Sequence, residues 1–381
     1  MKKFGIKTTV YFGEDALSRL TEIAAKNVLV IADPFIVKSG MIDLITARLK
    51  QAQIPFNVFA DVVPDPPIDK VVLGVKSVLD SRPDCLVAVG GGSAIDSAKA
   101  IRSFAGTIEK GYYPRLIAIP TTSGTGSEVT MFSVISDVAN ERKIPLVAPD
   151  LAAEEAILDE VLVKSVPPAV TADTGMDVFT HALESYVSLD NNEFSAAFAE
   201  KAIEIIGMFL LRSYHDNNDT HARRKMHVAS CLAGLAFNSA NLGLNHAMAH
   251  QLGANFHIAH GRANAILLPH VISFNADINR YSKSKAEYLP SVRKYCTVAR
   301  TLGVQAFNEV NTVNSLVGWV EFMLKEMNIP LRISEMLDIT KEEYERRIPA
   351  MAKKAMEDAC MATTPRKPTQ EQVEKIYRNL W

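Results

Sequence analysis

The sequence predicts an α/β protein in which a doubly wound parallel sheet is followed by an all-helical domain. Short apolar runs alternate with amphipathic segments over roughly the first 150 residues, and strand signals stop after about Val170. At 381 residues the chain exceeds the size at which one hydrophobic core usually stops growing, so two domains are expected. We place them at residues 1–170 and 171–381, with Val166–Pro168 as a plausible hinge.

Four apolar runs in the first domain are expected to be strands. They are continuous rather than alternating, which is typical of parallel strands buried on both faces. The runs are Val28–Ala32, Pro55–Phe59, Cys85–Val89 and Leu116–Ile119, with helical patterns at Ile42–Ala52 and Ile68–Leu79. A further run, Thr8–Phe12, is compatible with pairing either across a subunit edge or within the chain.

The composition is that of an ordinary globular protein. Charged residues make up 22% of the chain and the net charge is -2, which gives no electrostatic drive toward nucleic acid or an anionic membrane. No apolar run reaches the length of a membrane span, and the start of the sequence lacks the apolar core of a signal peptide. We therefore expect a cytoplasmic protein whose partners are small molecules.

A glycine turn after the third predicted strand is a candidate phosphate site. Gly90, Gly91, Gly92 and Ser93 separate that strand from a helix beginning near Ala94. Glycines let the backbone approach a pyrophosphate, and the N-terminus of the following helix attracts negative charge. The alternative is a plain capped turn, because Ser93 with Asp96 three residues later fits a capping box.

Two other loops follow predicted strands. Asp33, at the end of the first βα strand, could accept hydrogen bonds from a ribose 2′-hydroxyl, which would favour NAD over NADP. The loop Pro120–Glu128 is rich in hydroxyls and glycines and could line a nicotinamide and phosphate cleft. Either loop could also be an ordinary turn. Ligands of open α/β sheets bind at the carboxyl ends of the strands, so three such loops together favour a dinucleotide site.

The helical domain contains candidate metal ligands at helical spacing. Asp177 and His181 are four residues apart, as are His246 and His250, and His260 follows after a Gly-containing break. Residues four apart share a helix face, so carboxylate and imidazoles could converge on Fe(II) or Zn(II). Either pair alone is more often an ordinary helix feature. Both nevertheless lie among apolar or small neighbours, where a metal would offset the cost of burying them.

With these residues in view, the chain resembles the iron-dependent, or group III, alcohol dehydrogenase family. The matching segments are GGGSAIDSAKA from Gly90, PTTSGTGSEVT from Pro120, TGMDVFTHALESYVS from Thr174 and GLNHAMAHQLGANFHIAHGRANAILLPHV from Gly243. Within the family, the sequence of these segments is most similar to that of the 1-propanol dehydrogenases associated with bacterial microcompartments. The resemblance implies an N-terminal Rossmann-like domain that binds the dinucleotide and a helical domain that holds the metal and carries out catalysis.

The resemblance also implies roles for individual residues. The metal ligands would be Asp177, His181, His246 and His260, and His250 would relay protons. The cofactor would be NAD(H), held by Asp33, Gly90, Gly91, Gly92, Ser93, Asp96, Thr121, Thr122 and Thr125. Phe132 and Phe237 are candidate walls of the substrate pocket, with core packing as the alternative.

The resulting functional hypothesis is a metal-dependent dehydrogenase that interconverts short-chain primary alcohols and aldehydes, such as 1-propanol and propanal, with NAD(H). The alternatives are a glycerol or polyol dehydrogenase, a dehydroquinate-synthase-like enzyme, and, in a different class, a metallohydrolase or metal-binding module. The resemblance further implies a homodimer or larger homo-oligomer and raises location inside a microcompartment, with shell or enzyme partners.

Overall fold

The computed structural model describes residues 4–140, 142–277 and 290–381. The chain divides into two compact units, Met1–Val166 and Pro167–Trp381. The division falls four residues before the expected boundary at residue 170.

The first unit is built on a six-stranded parallel sheet. Its strands are β1 (Thr9–Phe12), β2 (Val28–Ala32), β3 (Phe56–Phe59), β4 (Cys85–Gly90), β5 (Arg115–Pro120) and β8 (Glu155–Leu158). Their order in the sheet is β1-β8-β5-β4-β2-β3. The helices are α1 (Pro34–Lys38), α2 (Met41–Gln51), α3 (Ile68–Ser81) and α4 (Gly92–Ile108). From β2 the chain passes to β3 on one side, whereas β4 lies on the other. This order makes the gap between β2 and β4 a topological switch point.

Side chains of the central strands pack alternately on the two faces of the sheet. Leu29 and Ile31 belong to the core on one face, while Val28 and Val30 belong to the core on the other. Both cores also take residues from flanking helices, the first from α3 and α4 and the second from α2. This confirms the predicted doubly wound sheet.

Three strands of this unit were not predicted. β8 was missed, and it pairs with β1, so the N-terminal run pairs within the chain. Strands β6 (Phe132–Asp137) and β7 (Arg142–Val147) form a separate antiparallel pair. The described residues of β6 alternate between buried and more exposed positions, which is typical of a strand with one covered face.

The second unit is helical in its described part, as predicted. Its helices are α5 (Pro168–Val187), α6 (Glu193–His215), α7 (Thr220–Ala240), α8 (Leu244–Phe256), α9 (His260–Asn275), α10 (Pro290–Thr301), α11 (Glu309–Glu326), α12 (Lys341–Glu357) and α13 (Gln370–Asn379). They enclose one large apolar core. Among the described helices, none is both long and apolar enough to cross a membrane.

Candidate metal and cofactor sites

The residues expected to bind a dinucleotide gather at the carboxyl edge of the parallel sheet. Ala32, the last residue of β2, pairs with Val89 in β4. Asp33 therefore lies beside the glycine turn, and a Cβ added at Gly90 would be 3.3 Å from its Oδ2. Asp33 Oδ1 accepts the Ile36 N–H at 3.0 Å and caps α1. One carboxylate oxygen thus has a structural role, and the other faces the turn at the switch point.

The glycine turn passes directly into α4. Gly90 has a φ of 150°, which favours glycine, and a Cβ there would lie 2.6 Å from Ala94 Cβ. The helix begins at Gly92 and its N-cap is Gly91. Ser93 therefore lies inside the first turn, and the capping-box interpretation of Ser93 with Asp96 is wrong. The backbone N–H groups at this helix start are suited to an anion.

The loop after β5 lies against the glycine turn. Thr121 donates its N–H to the Gly90 carbonyl at 3.0 Å. A Cβ at Gly91 would be 3.5 Å from Thr122 Oγ1, and one at Gly92 would be 2.7 Å from Thr125 Cγ2. All three threonines expected at a cofactor are thus beside the glycines. Asp96 differs, since Oδ1 accepts the Ser127 hydroxyl at 2.5 Å and Oδ2 accepts the Val134 N–H at 2.9 Å.

In the second unit, three helices bring together the four residues expected to bind metal. Asp177 and His181 lie on α5, His246 on α8, and His260 is the first residue of α9. Their ligand atoms all lie within 4.8 Å of one another. His257, with a φ of 55°, ends α8 and allows the chain to turn before α9 begins.

The spacing of these atoms suits a divalent metal. Asp177 Oδ1 is 3.7 Å from His246 Nε2 and 3.5 Å from His260 Nε2, and Asp177 Oδ2 is 3.9 Å from His181 Nε2. Bonds of 2.0–2.2 Å in tetrahedral geometry separate ligand atoms by about 3.3–3.6 Å. Three imidazoles and a carboxylate are ligand types that iron and zinc accept. The residues present therefore fit such a metal.

The side chains differ in exposure. Those of Asp177, His181 and His246 are 1–6% exposed, while that of His260 is 44% exposed. The cluster is thus closed on three sides and opens beside His260. This asymmetry is expected of a catalytic metal site, which keeps a position for substrate.

Gly261 allows α9 to approach α5. A Cβ at this position would lie 2.1 Å from the Asp173 carbonyl oxygen and 3.2 Å from Asp177 Cβ. Any other residue would push the start of α9 away and carry His260 with it. Arg262 Nε also donates to Asp173 Oδ1 at 2.9 Å and ties the same two helices.

Glu184 supports His246 and was missed from the sequence. It is 4% exposed, and its carboxylate accepts the N–H groups of Asn245 at 2.7 Å and His246 at 3.2 Å, at the start of α8. Glu184 Oε2 lies 2.5 Å from His246 Nδ1, and the pair can share one proton. His246 Nε2 then keeps its lone pair for the cluster. Glu184 lies seven residues after Asp177 on the same helix face, a spacing that could have identified it.

Burial shifts the pKa values of both Glu184 and His246. It raises the pKa of Glu184 to about 8, and the backbone N–H groups of Asn245, His246 and Gly243 oppose that rise. Burial also lowers the pKa of His246 well below its usual value, and the nearby histidines lower it further. Both shifts favour the uncharged forms, and the uncharged imidazole is the form of His246 that can bind a metal.

Asn264 lies among the ligand atoms and was also missed. Its Nδ2 is 2.7 Å from Asp177 Oδ1, 3.1 Å from His246 Nε2 and 3.2 Å from His260 Nε2. Asn245 Nδ2 donates to the Asn264 carbonyl at 3.0 Å and to Oδ1 at 2.9 Å, which fixes the amide orientation. The amide group thus presents its hydrogens to the cluster.

His250 lies next to the cluster and is held by an aspartate. Its ring stacks on that of His260 at 5.5 Å, and its Nδ1 is 2.8 Å from Asp358 Oδ2. Asp358 Oδ1 accepts the Cys360 N–H at 2.9 Å, which fixes the carboxylate. This arrangement resembles an oriented acid–base histidine. Asp358 is 108 residues from His250 in sequence, so no local pattern identifies it.

The two phenylalanines expected in a substrate pocket lie in different units. Phe237 is 8% exposed and stacks on His181 with ring centroids 4.7 Å apart, so it forms an apolar wall of the cluster. Phe132 is the first residue of β6 in the first unit, and its carbonyl accepts a hydrogen bond from Lys99 at 2.7 Å.

Comparison with known proteins gives matches over both units. A model described as iron-containing alcohol dehydrogenase matches residues 7–160, and one described as the C-terminal part of the Fe-containing alcohol dehydrogenase family matches residues 171–381. The 1-propanol dehydrogenase PduQ of Citrobacter freundii is 41% identical, with 100% of both chains covered.

Two further relatives differ in the cofactor or substrate that they name. The NADPH-dependent butanol dehydrogenase of Clostridium saccharobutylicum is 36% identical over 99% of this chain and 97% of that protein. A solved structure of a 1,3-propanediol oxidoreductase has a TM-score of 0.91 and 31% identity, with 100% of both chains covered.

Proposed function

Because the chain belongs to the iron-containing alcohol dehydrogenase family, a group of metal-dependent oxidoreductases acting on alcohols, we propose that it interconverts short-chain primary aldehydes and alcohols with NAD(H). In this proposal residues 1–170 bind the dinucleotide and residues 171–381 hold the metal and the substrate. The observation that carries it is the convergence of Asp177, His181, His246 and His260 in a cluster open beside His260.

The metal in this proposal is Fe(II), with Zn(II) as the alternative, because the ligand atoms suit both ions. When bound, the metal supplies Lewis-acid stabilisation of the charge on the substrate oxygen, and NAD(H) carries the hydride. Asp177 and the three imidazoles would hold the ion. Glu184 holds the His246 ring through Nδ1 and so would leave Nε2 for the ion, and removing such a support typically changes metal affinity.

NAD(H) is preferred over NADP(H) in this proposal because of Asp33. Its carboxylate lies at the switch point of the sheet beside Gly90. There it can accept a hydrogen bond from a ribose 2′-hydroxyl, and its negative charge repels a 2′-phosphate. The butanol dehydrogenase relative is named as NADPH-dependent, so cofactor choice varies within the family. The charge of Asp33 is therefore the feature to test.

His250 moves the proton. In aldehyde reduction it would donate a proton toward the alcohol oxygen, and in oxidation it would accept one. Asp358 holds Nδ1, so Nε2 is the nitrogen that would exchange the proton. The ring stack on His260 places His250 at the open side of the cluster.

The substrate class rests on the apolar wall formed by Phe237 and on the similarity to a 1-propanol dehydrogenase. An apolar wall favours propanal and butanal over polyols, because a buried hydroxyl without a partner is costly. The test compares kcat/KM for propanal, butanal, glyceraldehyde and glycerol, each with NADH or NAD+ as required. Propanal should lead by at least tenfold. A higher kcat/KM for glycerol or glyceraldehyde would move the function to a polyol dehydrogenase.

Assembly and location are part of the same proposal. The resemblance to microcompartment-associated 1-propanol dehydrogenases suggests a homodimer or larger homo-oligomer enclosed with other enzymes of aldehyde metabolism. Light scattering of the purified chain gives the oligomeric state. Co-sedimentation with shell proteins from the native host tests enclosure, and a chain found only in the unsedimented fraction would contradict it.

A further inference from the structure

Helix α4 presents three residues on one face to the loop that follows β5. Gly92, Asp96 and Lys99 are spaced by four and three residues, so they lie one above another along the helix. Gly92 is in close contact with Thr125, and Asp96 accepts the Ser127 hydroxyl at 2.5 Å. We call Gly92, Asp96 and Lys99 the α4 clamp.

Lys99 makes the deepest contacts of the clamp. It is 0% exposed, and its Nζ donates to Ser127 Oγ at 3.0 Å, Thr130 Oγ1 at 3.1 Å and the Phe132 carbonyl at 2.7 Å. An ammonium has three hydrogens, so these acceptors use all of them. A lysine seven residues after a glycine turn invites assignment as a phosphate ligand, but Lys99 has no donor left for one.

Asp96 extends the clamp to strand β6. Its Oδ2 accepts the Val134 N–H at 2.9 Å, and its backbone carbonyl accepts the Ser133 hydroxyl at 2.8 Å. The helix that starts at the glycine turn is therefore hydrogen-bonded to the second half of the loop, at Ser127 and Thr130, and to the first residues of β6. Movement of the loop relative to the turn would break several buried hydrogen bonds at once.

Burying an ammonium group costs free energy, and here the hydrogen bonds from Lys99 to the loop offset that cost. Burial lowers the pKa of Lys99 to about 8, and Asp96 and Glu128 oppose this shift. Its partners Ser127 and Thr130 are 6% and 2% exposed. A neutral residue would pack here at lower cost, but it could not hold two hydroxyls and a carbonyl together.

We propose that Lys99 is a positioning residue for the dinucleotide: it fixes the hydroxyl loop against the glycine turn and so preforms the surface that receives the pyrophosphate and nicotinamide. This inference rests on the proposed function, since it assumes that the turn and the loop bind NAD(H). Lys99 touches no cofactor itself and acts through Thr125, Ser127 and Thr130.

The test uses the full-length, metal-loaded protein and three variants. Lys99→Met keeps the length and packing of the side chain but removes its charge and donors. Thr130→Val removes one acceptor and keeps the side-chain volume. Lys76→Met, at an exposed lysine on α3, is the matched control. The Kd of NADH is measured by fluorescence titration, KM for NADH and for propanal and kcat by steady-state assay, and the folded fraction by circular dichroism.

We expect Lys99→Met to raise the Kd and KM for NADH at least tenfold, Thr130→Val two- to fivefold, and Lys76→Met less than twofold. KM for propanal and the bound metal should stay within twofold of wild type, a split that general destabilisation would not produce. If Lys99→Met does not fold, Thr130→Val decides, and an unchanged Kd for it overturns the proposal. Unchanged NADH binding by folded Lys99→Met overturns it as well.

The same titration separates this inference from the proposed function. Wild-type protein that binds neither NADH nor NADPH would overturn the proposed cofactor. Wild-type protein that binds NADH tightly, together with a Lys99→Met variant that binds it equally well, would overturn only the role of Lys99.

Discussion

Replacing Glu184 with glutamine should weaken metal binding by about 10- to 100-fold. Both carboxylate oxygens are used: one accepts the Asn245 N–H, and the other accepts the His246 N–H and lies 2.5 Å from His246 Nδ1. Glutamine keeps one oxygen and replaces the other with NH2, so in either orientation a buried donor faces a donor. If the NH2 faces Nδ1, it favours the tautomer protonated at Nε2, which cannot bind the metal.

The magnitude follows from one unsatisfied buried donor. Leaving such a group without a partner costs about 1–3 kcal/mol, which corresponds to roughly 5- to 150-fold in an equilibrium constant. Glutamate and glutamine have nearly the same side-chain volume, so cavity formation does not contribute. The loss should appear in metal affinity and, through the weakened cap of α8, in the melting temperature.

The assay titrates Co(II) into metal-stripped protein and follows visible absorbance in the presence of a competing chelator. Glu200→Gln is the matched control, because Glu200 lies in the same unit and accepts the Tyr186 hydroxyl at 2.5 Å. The control should bind Co(II) like wild type. Wild-type Co(II) affinity and melting temperature in Glu184→Gln would refute the assigned role of Glu184.

Three further predictions concern other groups. His260→Ala should lose bound metal and activity together. His250→Ala should retain stoichiometric metal and lower kcat by about 100-fold, as expected for loss of an acid–base group. Loss of metal from both variants would contradict the relay role of His250. Asp33→Ser keeps an acceptor for the cap of α1 but removes the charge, so the ratio of kcat/KM with NADPH to that with NADH should rise at least tenfold, and an unchanged ratio would exclude Asp33 from cofactor choice. Burial raises the pKa of Glu128 from 4.5 to about 7, so the folded state binds this proton more tightly than the unfolded state does. The proton therefore contributes about 3 kcal/mol to the free energy of unfolding at low pH, and this contribution is lost as pH rises from 4.5 through 7. Glu128→Gln should therefore melt above wild type by a wider margin at pH 8 than at pH 5, and equal margins would show that Glu128 does not titrate in this way.

The sequence predicted the central strands of the sheet because they are continuous apolar runs. The strand β8 (Glu155–Leu158) was missed because it has four residues and begins with a charge. The charged residue is Glu155, which is 4% exposed and accepts a hydrogen bond from Arg19 at 2.9 Å. Such pairing depends on residues distant in sequence. The β6–β7 pair was missed for a related reason, since its alternation is short and half exposed.

Helical spacing indicated Asp177 with His181 and His246 with His250 as candidates, whereas the choice of His260 as the fourth ligand came from the family resemblance. The glycine turn could be found because it follows a recognisable strand. Supporting residues were harder to find. Asn264 lies four residues after His260 on α9, a helical spacing that could have identified it, but its contacts with Asp177 and His246 depend on packing between helices. Asp358 is 108 residues from His250 and reaches it only through the tertiary fold.

Asp96 shows a different limit. Its position in a glycine-rich motif suggested a cofactor contact, or a capping partner for Ser93. In the structure both of its carboxylate oxygens accept hydrogen bonds from the loop and strand that follow β5. These partners lie more than 30 residues away in sequence, so they were visible only in the folded structure.

The metal needed for NADH-linked aldehyde reduction should be the one held by the Asp177 cluster. The most direct test follows NADH absorbance with propanal after anaerobic reconstitution of metal-stripped protein with Fe(II) and, separately, Zn(II). We predict turnover that requires added metal, saturates at one ion per chain, and is at least tenfold faster with NADH than with NADPH. Stoichiometric metal binding without turnover in either reconstituted form would contradict this role of the cluster.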